Sequence, residues 1–274
     1  KKCKNIKTKQ TFYLSLATNL GVGNLIGVST AIYIGGSGVI FWMAIFSLFS
    51  SALAFLENYY AITAQVNTKY GSFAGTCYTF VKYLNGTTGK ILALIFSIFL
   101  IFTNTLFFPP IQINAIVSSF PEKYSLLFCI ILILIILIIV FGGIKFILKI
   151  TDKYVSVFAI TYFIVLVVAI LLKIDELGKV IKEIMHSAFN IKTVGISSFF
   201  MMFKTGISKS IFSNEAGLGT MTSLNGVSDK NEIKVVSYFQ LLGVIIDTFV
   251  LCTLTGIFIL MYNDYEIYSS QICL

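Results

Sequence analysis

Apolar residues run in long, nearly unbroken stretches along most of this chain, without the two-residue or 3.6-residue alternation of elements half-buried in water. Runs near the roughly 20 residues needed to cross a bilayer predict about seven spans. They fall near Phe12–Ile34, Val39–Ala61, Ile91–Ser118, Leu126–Phe141, Tyr154–Leu172, Val194–Phe212 and Val235–Tyr262. Polar and glycine positions interrupt the first run where a helix tolerates them least, at Asn19-Leu20-Gly21-Val22-Gly23-Asn24. Glycine costs about 1 kcal/mol inside a helix. Backbone groups freed by a break cannot face lipid, so a broken helix is tolerated only beside a protein cavity.

Gly21 and Gly23 are therefore expected to break the first span in mid-membrane, and Gly206, in Lys204-Thr205-Gly206, to break the sixth. An unwound turn would turn the amides of Val22 and Gly23 towards a carboxylate, which the positive end of a half-helix favours. On the other side of the break, the carbonyls of Asn19 and Leu20 suit a sodium ion. The alternative use for these glycines is close packing between helices.

Between the spans, Gly35-Gly36-Ser37-Gly38 is a tight turn whose glycines allow positive φ, predicting that the first two helices form an antiparallel pair. The semi-apolar piece Tyr78–Leu84 is too short to cross and is read as an interfacial helix. Pro109-Pro110 remove backbone donors and should kink the third span. Leu177, Val180, Ile181, Ile184 and Met185 recur at helical spacing with charges opposite, which describes a helix lying on the membrane surface.

The chain has 274 residues, 57% hydrophobic and only 12% charged, with a mean hydropathy of +0.91, against roughly 25% charge in a soluble domain. Its net charge of +8 does not indicate nucleic acid, because the lysines sort by side. Lys1, Lys2, Lys4, Lys7, Lys9, Lys69, Lys82, Lys90, Lys145, Lys149, Lys153, Lys209, Lys230 and Lys234 fall on one side. Lys123, Lys173, Lys179, Lys182 and Lys192 fall on the other. This asymmetry sets orientation and puts the amino end in the cytoplasm. The five cysteines form no CxxC pair, so neither a metal site nor a disulfide framework is indicated. Cys129 and Cys252 lie in apolar runs and read as small hydrophobes.

Ionisable residues inside spans are functional or paired by default. Glu57 reads as an ion-pair partner for a cytoplasmic lysine. Asp247, halfway along the seventh span, is either a helper near an ion site or a partner for Lys204. Gln112 and Asn114 follow the double proline and need partners at that depth, from a substrate or a neighbouring helix. His186 reads as a solvated or interfacial residue. No GxSxG, HExxH or P-loop is present, and the chain is not read as an enzyme.

Several blocks then form one pattern: Gly21 to Ala31, Ile34 to Gly38 with Phe41-Trp42-Met43, Gly142-Gly143-Ile144-Lys145, Ile211 to Thr220, Ile246-Asp247-Thr248 and Cys252-Thr253. Together they resemble the alanine or glycine:cation symporter family. The resemblance implies an all-α, polytopic membrane protein with the broken-helix, inverted-repeat fold of amino acid/polyamine/organocation transporters. It also implies uptake of a small neutral amino acid, alanine or glycine, coupled to sodium, in a bacterial plasma membrane. Val22, Gly23, Asn24, Gln112 and Phe203 correspond to substrate contacts, and Asn19 and Leu20 to part of the ligand and cation cradle. Ser213 to Gly219 corresponds to a cytoplasmic structural or gating element. The chain departs from the pattern at Val22, where a threonine is usual, at Ser37 for a proline, and at Lys209-Ser210 for Arg-Gly.

Residues 12–172 read as a first five-helix repeat and 193–262 as the start of a second, inverted one. Asp264–Leu274 does not read as a further span, and the helices that complete such a core are not found in the sequence. A single, incomplete transmembrane domain is therefore expected, either part of a symporter or a non-transporting membrane protein.

Overall fold

The structure is a computed structural model that describes residues 8–68, 71–84, 86–190, 195–225, 228 and 230–262. The lysines at positions 1–7, Lys69, Lys192, the start of the sixth segment at 193–194 and Asp264–Leu274 lie outside the described residues.

Nearly everything described is helical, as continuous apolar sequence requires where the backbone must satisfy its own hydrogen bonds. The first segment is α1 (Thr8–Asn19), a 3-10 turn (Val22–Asn24) and α2 (Ile26–Gly35). It is followed by α3 (Val39–Thr63), α4 (Thr76–Tyr83) and α5 (Gly86–Phe102). A π-helical stretch (Thr103–Phe107) joins α5 to α6 (Phe108–Val117), and α7 (Ser125–Phe141) follows. Next come α8 (Gly143–Ile150), a second π-helical stretch (Thr151–Val155), α9 (Ser156–Leu172) and α10 (Ile174–Phe189). The last elements are α11 (Ile196–Asn214), α12 (Thr220–Asn225), α13 (Ile233–Val244), a third π-helical stretch (Ile245–Cys252) and α14 (Thr253–Tyr262). One antiparallel hairpin, β1 (Val66–Thr68) with β2 (Gly71–Phe73), departs from the all-α expectation.

Among the described residues, five helical stretches are long and apolar enough to cross a membrane: Val39–Thr63, Gly86–Val117, Glu122–Phe141, Lys153–Leu172 and Lys230–Tyr262. These coincide with five of the expected spans. The two that do not qualify are the first, split into helices of 12 and 10 residues, and the sixth, which carries Lys204 and Lys209 within its 19 residues.

The described residues fall into two compact units. The first comprises those within 8–18, 54–156 and 217–240, the second those within 19–53, 157–216 and 241–262. Within the first, the double proline occupies the first turn of α6, and the π-helical stretch immediately before it absorbs the missing donors. Here α4 is the short helix expected at Tyr78–Leu84, and α7 leaves its apolar side chains uncovered, with Leu126 74% and Phe141 84% exposed.

The second unit holds the apolar core, in which Val28, Ala31 and Ile32 of α2 meet Val39, Ile40 and Met43 of α3, Met202 of α11 and Ile259 of α14. At the α2–α3 turn, Gly36 has φ 76° and its N–H caps Ile32 C=O. A Cβ on Gly38 would sit 2.5 Å from the Ala188 amide nitrogen. The turn is as tight as expected, but the main neighbour of α2 is α11, not α3. The apolar face of α10 divides: Val180 and Ile184 are buried, whereas Ile181 and Met185 stay exposed.

Candidate functional site

The first span breaks where its glycines fall. Helix α1 ends at Asn19, Gly21 is extended (φ −152°, ψ −165°), and a single 3-10 turn precedes α2. Within that turn the Asn24 N–H donates to Gly21 C=O at 3.2 Å and the Leu25 N–H to Val22 C=O at 3.2 Å. The amide of Gly23 therefore lies ahead of the hydrogen-bonded part of the turn, among the groups a helix start leaves open. Gly23 also serves close packing: a Cβ there would lie 3.2 Å from the Cα of Ser213. The helix break and the close helix packing thus meet at one residue.

That close approach brings Asn24 to the end of α11 and to the π-helical stretch. Asn24 Nδ2 donates to Asp247 Oδ1 at 2.7 Å. Ser213 Oγ lies 2.9 Å from Asn24 Oδ1 and 2.9 Å from Asp247 Oδ2, and Thr248 Oγ1 donates to Asp247 Oδ2 at 2.9 Å. Cys252 Sγ lies 3.3 Å from Ser213 Oγ. Asp247 and Thr248 are 0% exposed, Asn24 3% and Ser213 4%. Taking a carboxylate out of water costs several kcal/mol unless charge or hydrogen bonds replace the solvent. Here three polar side chains converge on it, and no basic side chain is seen to pair with it among the described residues. π-Helical turns recur at functional positions, and this one carries the acid.

The expected pairing of Asp247 with Lys204 is not found. Lys204 is exposed on α11, whereas Asp247 is buried against Asn24 and Ser213. Nor is Gly206 a helix break, because α11 runs unbroken through it. Its reason is steric: a Cβ at Gly206 would sit 2.8 Å from Trp42 Cβ, so the glycine lets α11 lie against the start of α3. The interruption comes later, where Glu215 adopts φ 51°, Gly217 φ 83° and Gly219 φ 71°.

Of the other expected residues, Asn19 is 2% exposed, and neither its Oδ1 nor its Nδ2 has a partner among the described residues. Leu20 is half-buried in the unwound segment and Gly21 is exposed. Phe203 is half-buried and packs against Trp42 (ring centroids 4.9 Å apart) and Phe46 (5.2 Å). Gln112 is half-buried on α6 in the first unit, and Asn114 is exposed there. Glu57 does not show the expected lysine pairing. Its Oε2 accepts the Gly217 N–H at 2.6 Å and holds the turn after α11. His186 is exposed, as expected, beside Asn190. A cavity of about 210 Å³ in the first unit, walled by Phe96, Phe99, Leu100, Thr103, Phe108 and Leu218 among others, is apolar and includes none of these residues.

Sequence reasoning missed Ser213 as a member of the polar cluster and set Asp247 only in general terms near an ion site. The available signal was that both stood in the blocks that carry the family pattern.

Residues 1–272 match the model of the sodium:alanine symporter family. The chain belongs to that family. It is 33% identical over 267 residues to an uncharacterized transporter of Haemophilus influenzae, covering 93% of this chain and 54% of that protein. Bacillus subtilis GlnT, described as a probable sodium/glutamine symporter, is 30% identical over 263 residues, covering 95% of this chain and 54% of GlnT. The sodium/alanine symporter AgcS of Methanococcus maripaludis is 29% identical over 253 residues, covering 90% of this chain and 56% of AgcS. The chain thus spans about half the length of these relatives.

Proposed function

We propose that this chain belongs to a sodium-coupled symporter for a small neutral amino acid, alanine or glycine, and that the coupling ion is held at Asp247, Asn24, Ser213 and Thr248. The observation that carries the reading is the fully buried Asp247 carboxylate, held by the Asn24 amide and the Ser213 and Thr248 hydroxyls beside a broken helix. Hard cations take oxygen ligands, and an intramembrane acid by default marks an ion pathway. Asn19, whose buried amide has no partner among the described residues, and Leu20 are proposed to extend this cradle across the break.

The amino acid carboxylate is proposed to bind the amides of Val22 and Gly23 at the start of the 3-10 turn. Asn24 would then lie between substrate and ion. A cation beside Asp247 would fix the Asn24 side chain and, through it, the turn that presents those amides. Sodium would therefore favour the substrate-loaded form by differential affinity, which is the thermodynamic requirement for coupling. Phe203, with Trp42 and Phe46, would close over a small side chain. Gln112 is carried as a further substrate contact on the family resemblance alone. The amino end is proposed to be cytoplasmic, with 12–172 a first repeat and 193–262 the start of a second.

The test is sodium-dependent uptake of labelled alanine into proteoliposomes, alongside direct binding of labelled alanine to the purified chain with and without sodium. Sodium-stimulated binding that Asp247→Asn abolishes supports the reading. Sodium-independent binding, or none, sinks it.

A further inference from the structure

Ser213 presents a bookkeeping problem. A serine hydroxyl has one proton to donate, yet three acceptors surround its Oγ: Asn24 Oδ1 at 2.9 Å, Asp247 Oδ2 at 2.9 Å and Cys252 Sγ at 3.3 Å. If the proton points at either oxygen, it occupies a lone pair that a cation needs and aims the positive end of the O–H dipole at the ion. The sulfur is the one acceptor of the three outside the oxygen set. Cys252 is 2% exposed, so water does not compete for that role. The backbone supports the arrangement. Asp247 and Cys252 are five residues apart, which in an α-helix would place them about 140° apart around the axis. The π-helical stretch Ile245–Cys252, with its wider turn, lets both reach the same serine.

We infer that Cys252 is a positioning residue of the proposed cation site: its sulfur accepts the Ser213 hydroxyl hydrogen bond, turning Ser213 Oγ, Asn24 Oδ1 and Asp247 Oδ2 together towards a monovalent cation. The inference rests on the cation reading above and adds to it a thiol that touches neither ion nor substrate. No bond is made or broken and no proton leaves Ser213; only the direction of its hydroxyl changes.

The experiment is a sodium titration of the purified full chain in detergent, at constant ionic strength in potassium. It reads thermal stabilisation for wild type, Cys252→Ala, Cys252→Ser and Asp247→Asn. Cys252→Ala is expected to raise the sodium concentration for half-maximal stabilisation about fivefold, the size of one modest hydrogen bond. Cys252→Ser, whose hydroxyl is an acceptor, should return it to within about twofold of wild type. Melting in potassium alone reports packing, and a structural role would lower it for both variants without moving the sodium midpoint. Wild-type midpoints in Cys252→Ala, or equal shifts in the Ala and Ser variants, overturn the inference while leaving the cation site intact if Asp247→Asn abolishes the sodium response. A wild type with no sodium response overturns both.

Discussion

Asn24 and Asp247 stand 223 positions apart in the chain, yet the Asn24 amide nitrogen lies 2.7 Å from the Asp247 carboxylate. Asn24 belongs to the turn that breaks the first span, and Asp247 to a helix that would otherwise read as a plain membrane crossing. Their contact ties the unwound backbone to a fully buried acid, and it suggests distinct experiments.

Replacing Asn24 separates hydrogen bonding from charge. Asn24→Ala removes a donor to a buried carboxylate and should cost about 1–3 kcal/mol of stability. Asn24→Asp instead places two carboxylates in contact, so the protein should melt lower than Asn24→Ala without sodium and recover more when sodium is added. Melting curves of the two variants across a sodium series check both the order and the larger recovery.

Gly206 and Gly178 make opposite predictions from the same substitution. At Gly206 a Cβ would meet Trp42 Cβ at 2.8 Å, whereas at Gly178, on the exposed side of α10, nothing lies within 4 Å. Gly206→Ala should destabilise by about 1–3 kcal/mol through overpacking. Gly178→Ala should stabilise by up to about 1 kcal/mol, the helix-propensity difference. Detergent-solubilised melting temperatures that move in the same direction for both would refute the packing account.

Glu57 should matter to the turn after α11 more than to binding. Its carboxylate accepts the Gly217 N–H at 2.6 Å. Glu57→Ala should speed proteolytic cleavage at residues 215–219, and Glu57→Gln, which keeps an acceptor, should do so less. Digestion time courses read at the cleavage site distinguish the two.

For the ligand itself, Gln112→Ala is expected to weaken labelled-alanine binding more than Glu57→Gln does. Equal losses in the dissociation constant would remove Gln112 from the substrate assignment.

Much was legible from the chain alone, for reasons that lie in local chemistry. Five apolar runs became helices of membrane-crossing length, because no other local structure hides the backbone of twenty apolar residues. The break at Gly21 and Gly23 followed from two residues that lower helix stability beside polar neighbours. The turn at Gly36 followed from a residue that takes φ 76° without strain. The same reasoning failed at Gly206. A glycine inside an apolar helix can either break it or admit a neighbour, and only the position of Trp42 chooses between them.

Sequence by itself determined the helical class, most of the spans, the family and the place where the first helix unwinds, since each depends on residue type and near-neighbour spacing. The partners of the buried groups were decided by tertiary structure alone. Asp247 meets Asn24 and Ser213 instead of Lys204, and Glu57 meets a backbone amide where a lysine was expected. Hydrogen bonds between residues far apart in the chain depend on how helices cross and on the extra turn width of a π-helical stretch. Neither leaves a periodic mark in the order of the amino acids.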